Sequence, residues 1–221
     1  MTPARRRAIF RRLSEANPAP QSELEYSTSF ELLTAVMLSA HTTDKSVNAA
    51  TRRLFPVANT PAAIAGLGVE GVRPYLKTLG LYNAKAANLV SLSRIILDRH
   101  GGEVPAEREA LEALPGVGRK TANVVLNIAF GHDTIAVDTH IFRVANRTGL
   151  APGKTPAAVE AILNATTPAA YRRQAHHWLL LHGRYVCKAQ RPACPDCLIR
   201  DLCDFEPKTP AGDVAGIRRK P

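Results

Sequence analysis

Long apolar runs are missing from this sequence, and none is long enough to cross a bilayer. The Arg-rich opening, "MTPARRRAIFRRLSEANP", also lacks the apolar core of a secretory signal. Thr2-Pro3 reads instead as the cap and first residue of a helix. The expectation is a soluble intracellular protein. Aromatic residues are scarce at 5%, so Leu, Val, Ile and Ala must fill the core. Sustained alternation of apolar and polar residues is absent, which excludes a sheet protein. There is no internal repeat and no low-complexity tract. Acidic residues are few: 19 Asp and Glu stand against 29 Lys and Arg, for a formal net charge of +10. Such an excess suits a polyanionic partner, although solubility alone also accounts for it.

What is present is helical. Thr28 and Glu31 fit a capping box ahead of "LLTAVMLSA". Thr43-Asp44, Thr60-Pro61, Asp138 and Thr155-Pro156 each open a further segment, and Pro168 begins the long "AAYRRQAHHWLLLHGRYVC". Asn83 can cap "AKAANLVSLSRIILDRH", which Gly101 and Gly102 stop. The spacing predicts an all-α protein of many short helices.

Cysteine occurs nowhere outside one short region, where Cys187, Cys194, Cys197 and Cys203 are spaced C-x6-C-x2-C-x5-C. Disulfides do not suit an intracellular protein with an adequate core. Four thiolates suit either zinc or a [4Fe–4S] cluster, and the residues alone leave that choice open. Lys188 and Arg191 make the first gap basic, so that loop either presses on a nucleic-acid backbone or is simply solvated.

The stretch "EREALEALPGVGRKTANVVLNIA" reads as helix, tight turn, helix. Gly116, Val117 and Gly118 then place backbone N–H groups at a helix N-terminus, a ready anion site, with Arg119 adding charge. Glycines without Cβ atoms would let a phosphate come close. An ordinary αα-hairpin with glycines for steric reasons is the alternative.

"LPGVGRKTANVVL" together with "VDTHIFRVANRTGL" resembles the helix-hairpin-helix DNA glycosylases, and the cysteine spacing resembles their endonuclease III branch. "LLTAVMLSAHTTD" and "LGLYNAKA" join the resemblance, which runs from about residue 5 to residue 206. It implies a [4Fe–4S] cluster on the four cysteines. It implies double-stranded DNA with a damaged base or abasic site as partner, a nucleoid-associated protein of the cytoplasm, and a monomer. Lys120 matches the family's nucleophile. At the positive end of a helix, partly desolvated, its charged form would be disfavoured and its pKa lowered, leaving a free amine for Schiff-base chemistry. Asp138 matches the family's aspartate, expected to be an ionised N-cap buried by a cleft, able to stabilise charge on the sugar.

A nucleotide inside a duplex must be extruded before such chemistry. Leu81 matches the family's wedge, expected to fill the vacated space. His41 stands where the family usually has glutamine, which puts its plugging role and substrate preference in question. Ser39, Asp44 and His140 are expected to face the base pocket by family position. The implied architecture is two helical domains flanking a DNA-binding cleft. A six-helix barrel takes residues 22–132, with the hairpin at about 107–130. Residues 1–21 and 133–207 form the cluster domain, and 208–221 a mobile basic tail. The implied activity is that of a bifunctional glycosylase and abasic-site lyase on oxidised pyrimidines. Two rivals are a monofunctional, adenine-type glycosylase and a non-enzymatic, zinc-stapled DNA-binding module. The first should lack lysine at position 120 and carry a further domain. The second predicts affinity without turnover.

Overall fold

The computed structural model describes residues 1–210, and residues 211–221 lie outside the described part. The described residues form helices and turns with no strand. The chain divides into two compact units, Ser22–His132 and a discontinuous unit of Met1–Gln21 with Asp133–Pro221.

The continuous unit holds α2 (Ser29–Leu38), α3 (Asp44–Leu54), α4 (Pro61–Leu76), α5 (Tyr82–His100), α6 (Arg108–Glu112) and α7 (Arg119–Phe130). Helix α2 is buried all round, from Phe30 through Leu38, as expected of a helix apolar on every face. Its start is the capping arrangement that Thr28 and Glu31 encode. Thr28 Oγ1 accepts from the Glu31 N–H at 3.1 Å, and Glu31 Oε2 accepts from the Ser27 N–H at 2.6 Å. Thr43 and Thr60 cap α3 and α4 in the same manner. Helix α4 is broken at Gly68, whose φ of +65° lies in the left-handed region. Helix α5 begins one residue before the expected cap. Leu81 occupies the N-cap position with φ +58° and no side-chain bond, so Asn83 falls inside the helix.

The discontinuous unit is formed by α1 (Pro3–Ala16), α8 (Thr139–Thr148), α9 (Pro156–Thr166) and α10 (Arg172–Tyr185), with short 3-10 turns at Ala169–Tyr171, Cys194–Asp196 and Arg200–Leu202. One core joins Ile9, Phe10 and Leu13 of α1 to Ile141, Val144, Leu163, Trp178, Leu179 and Ile199. The indole N–H of Trp178 donates to the Asn17 carbonyl at 2.8 Å, which holds the end of α1 against α10.

The arginine run of the N-terminus is largely structural. Arg5 Nε donates to the Leu202 carbonyl at 2.8 Å, and Arg5 pairs with Asp204 at 2.7 Å. Arg6 donates to the Leu150 carbonyl at 3.2 Å, and Arg12 pairs with Asp201 at 2.5 Å. The Arg5 and Arg12 bonds tie the first helix to the last described segment, and the Arg6 bond ties it to the turn after α8. Lys208 belongs to that segment, not to a loose tail: its Nζ reaches the Cys203 carbonyl at 3.3 Å and Glu206 Oε1 at 2.5 Å. The remaining tail expected to be mobile, 211–221, lies outside the described residues.

Candidate functional site

The helix–turn–helix stretch places Lys120 as the second residue of α7. Helix α6 ends at Glu112 with Ala113 as C-cap, the turn passes through Gly116, and Gly118 takes the N-cap position of α7 in an extended conformation without a side-chain cap. The first-turn N–H groups of α7 are therefore not covered by a capping side chain. That leaves the positive end of the helix open to an anion.

The two glycines differ. Gly116 has φ +78°, and a Cβ there would come within 2.9 Å of Asn88 Nδ2 and 3.3 Å of Met37 Cγ. Its missing side chain serves packing within the unit. At Gly118 an added Cβ would meet nothing within 4 Å, which keeps open the approach expected there. Val117 is buried at 5% exposure, and its N–H donates to the Leu114 carbonyl at 3.0 Å. Arg108 donates to the Asn123 carboxamide oxygen and ties α6 to α7.

Lys120 and Arg119 are exposed. Lys120 thus stands in contact with solvent in the folded chain.

Two other loops of the same unit come together. His41 follows α2 with φ +55°, and Leu81 precedes α5 with φ +58°. Both are exposed, Leu81 at 67%, and a Cβ on Gly80 would lie 3.8 Å from the His41 carbonyl oxygen. A large apolar side chain held outward in a left-handed conformation is unfavourable for a lone domain. Ser39 is the C-cap of α2 and donates its hydroxyl to the Val36 carbonyl at 2.8 Å. Asp44 is half-buried at the start of α3. Sequence reasoning missed Lys85. It is buried on α5, where its Nζ donates to Thr42 Oγ1 at 2.7 Å.

In the other unit, Asp138 caps α8, with Oδ1 accepting from the Ile141 N–H at 2.8 Å. It is half-buried, less enclosed than expected. His140 is half-buried, and its Nδ1 lies 3.2 Å from Arg143 Nη2. An arginine can only donate, so Nδ1 carries a lone pair there.

The four cysteines line one cavity with Thr148, His182 and Phe205. Burial pushes the Cys197 thiol up to about 11, with the neighbouring cysteines adding to the rise, and raises Cys203 in the same direction. Four thiolates at such a site need cationic charge to be stable. Among the described residues, no group of three or more such side chains is drawn together on a single ion. Four thiols lining one cavity are a donor set that suits a zinc ion or a [4Fe–4S] cluster.

Sequence reasoning also missed Arg147. It donates to Cys187 Sγ at 3.7 Å and to the carbonyls of Lys188 and Ala189, while its guanidinium lies 4.5 Å from the Phe205 ring centre. Its position in the last turn of α8 reads from sequence as mere dipole compensation. His182, buried and lowered to about 4 by that burial, has Nε2 3.7 Å from Cys197 Sγ. Lys188 is half-buried, with its carbonyl used by Arg147, and Arg191 is exposed with φ +48°.

Comparison with known proteins fits this geometry. The chain is 61% identical over 208 residues to Endonuclease III of Escherichia coli K12, covering 94% of this chain and 99% of that one. It is 57% identical to Endonuclease III of Haemophilus influenzae over the same shares. A solved structure described as a trapped Endonuclease III–DNA covalent intermediate matches with a TM-score of 0.85 at 41% identity, covering 92% of this chain and 96% of that one. A thermostable thymine-DNA glycosylase at 23% identity shares the fold, with a TM-score of 0.81. No helix among the described residues is long and apolar enough to cross a membrane. The family model for HhH-GPD superfamily base excision DNA repair proteins matches residues 34–169, and the chain belongs to that superfamily, within its endonuclease III family.

Proposed function

We propose that this protein is a bifunctional DNA glycosylase and abasic-site lyase that removes oxidised pyrimidines from duplex DNA in base excision repair, acting on the nucleoid in the cytoplasm. The observation that carries the reading is Lys120, an exposed amine in the uncapped first turn of α7. A relative that aligns over nearly the whole chain has been captured covalently joined to DNA, which supports it.

The duplex backbone binds at the turn, where Gly118 leaves room and the N–H groups of α7 and the Arg119 guanidinium supply positive charge. The damaged nucleotide is turned out of the stack, with Leu81 and His41 entering the gap. The Nζ of Lys120, as free amine, forms a bond to C1′ while the bond from C1′ to the base breaks, and the base leaves with a proton. Ring opening gives an iminium at C1′, which acidifies C2′. Loss of the C2′ proton expels the 3′ phosphate, and water then releases the lysine.

Asp138 takes two roles. Oδ1 caps α8, and the carboxylate would stabilise positive charge developing on the sugar and assist proton transfer. Since the folded chain leaves Lys120 solvated, the bound nucleotide must exclude that water. Ser39, Asp44 and His140 would line the pocket for the turned-out base. Cys187, Cys194, Cys197 and Cys203 would hold a [4Fe–4S] cluster, which neutralises the thiolates and pins the C-terminal segment. Lys188 and Arg191 would meet phosphate from that loop.

Borohydride trapping on duplex DNA with one abasic site tests the reading. The wild-type protein should give a covalent adduct and Lys120→Met none, at an unchanged melting temperature. A Lys120→Met protein that still forms the adduct would remove the nucleophile from this position.

A further inference from the structure

Lys85 is the only lysine or arginine among the buried residues of the described chain, at 5% exposure. No carboxylate stands within ion-pair distance of it among the described residues. Its Nζ bonds instead to the Thr42 hydroxyl at 2.7 Å. Burial pushes the Lys85 ammonium below its ordinary pKa, so the fold holds this cation in an unfavourable place. Groups kept at such expense tend to serve function rather than stability.

The neighbours of Lys85 point to the purpose. Its backbone N–H donates to the Leu81 carbonyl at 3.0 Å, closing the first turn of α5 on the left-handed Leu81. Its side chain crosses to Thr42, the residue after the left-handed His41. Thr42 is braced in turn, with its N–H donating to the Ser39 carbonyl at 3.0 Å and its hydroxyl lying 3.4 Å from the Ala40 carbonyl oxygen. One residue thus grips both exposed loop tips, one through its backbone and one through its side chain. Neither tip has a glycine to make its conformation easy, and neither is covered by the unit's core.

We infer that Lys85 is a positioning residue that fixes the spacing of the His41 loop and the Leu81 turn, so that both tips enter the duplex together when a nucleotide is extruded. The inference rests on the glycosylase reading. It assigns to Lys85 the extrusion step alone, leaving attack on the sugar to Lys120. With the strut removed, the two loops lose their shared anchor, and a displacement of about 1 Å is enough to impair a step of this kind. Once a nucleotide is already out of the stack, with no base opposite it, the strut has nothing to organise.

Two DNA probes and two variants test this. The probes are a duplex with thymine glycol paired to adenine, and a duplex with one abasic site in a single-nucleotide bulge, which leaves no hole to fill. The variants are Lys85→Met, which keeps the length and removes the charge, and Thr42→Val, which removes the partner hydroxyl. Single-turnover base release from the paired lesion should fall at least about tenfold in both, while borohydride trapping at the bulged abasic site stays within about twofold of wild type. The double variant should be no worse than either single one. The melting temperature of Lys85→Met should equal or exceed that of wild type, because a buried cation has been removed.

Equal losses on both probes, or a paired-lesion rate that does not change, would overturn the assignment. A lowered melting temperature with parallel losses would make Lys85 an ordinary structural residue. A wild-type protein that traps neither probe would refute the glycosylase reading itself, and that result is read without any variant.

Discussion

The two units solve the same folding problem in different ways. Residues 22–132 are continuous, and their core is assembled around α2, a helix apolar on every side. The other unit joins the first residues of the chain to the last described ones, through Phe10 in its core and the ion pairs of Arg5 and Arg12. Its C-terminal segment adds four thiols around one cavity to the packing of Ile199 and Leu202. The first unit carries Lys120 and the two exposed loop tips on a scaffold that is stable by burial. The second carries Asp138 on a scaffold whose C-terminal segment lacks an apolar core of its own.

The contrast is broken most severely at the cysteines. If the proposed cluster is held there, Cys197→Ala should cost the discontinuous unit on the order of 5 kcal/mol or more, because loss of one ligand would release it and its segment together. Iron content, visible absorbance and the denaturation midpoint measure it. A variant that keeps full iron and an unchanged midpoint would show that the segment needs no ligated group.

Next in size is Gly116→Ala, which forces a Cβ onto a left-handed backbone against Asn88 and Met37. A loss of about 1–3 kcal/mol is expected. Gly118→Ala, whose Cβ would meet open space, should leave stability within about 0.5 kcal/mol of wild type and weaken binding to abasic duplex instead. Urea midpoints and filter binding on both variants separate the packing glycine from the contact glycine.

A smaller effect concerns pH. Burial lowers the pKa of His177 on α10 below its ordinary 6.5, so the native state favours the neutral ring. The stability this contributes is present above pH 6.5 and is lost as the pH falls below it, where the unfolded chain takes up the proton first. His177→Gln should flatten the decline of the urea midpoint between neutral and mildly acidic pH. An unaltered slope would place the acid sensitivity elsewhere. The smallest change in stability belongs to Leu81→Ala, within about 0.5 kcal/mol, since that side chain is two-thirds exposed. Base release from a paired lesion should nevertheless fall, and an unaffected rate would remove Leu81 from the extrusion step.

Much of the helical order was legible because threonine caps are local signals. Thr2, Thr28, Thr43, Thr60 and Thr155 each accept the bond that their sequence context announces, and so does Asp138. The start of α5 was not legible. Asn83 has the better capping chemistry, yet the chain turns at Leu81, where the Lys85 N–H and the neighbouring His41 loop hold it. The exposure of Lys120 was not legible for a related reason. Helix polarity follows from position in the chain, whereas exposure depends on whether another element covers the first turn.

By itself the sequence determined the all-helical class, the caps, the grouping of four cysteines and the lysine behind the glycine turn, because each depends on residues near one another in the chain. Only the tertiary structure decided that Gly116 serves packing while Gly118 stays open, that the N-terminal arginines bind the C-terminal segment, and that Lys85 joins two exposed loops. Those outcomes rest on contacts between residues tens to hundreds of positions apart, and no local propensity or charge pattern encodes such contacts.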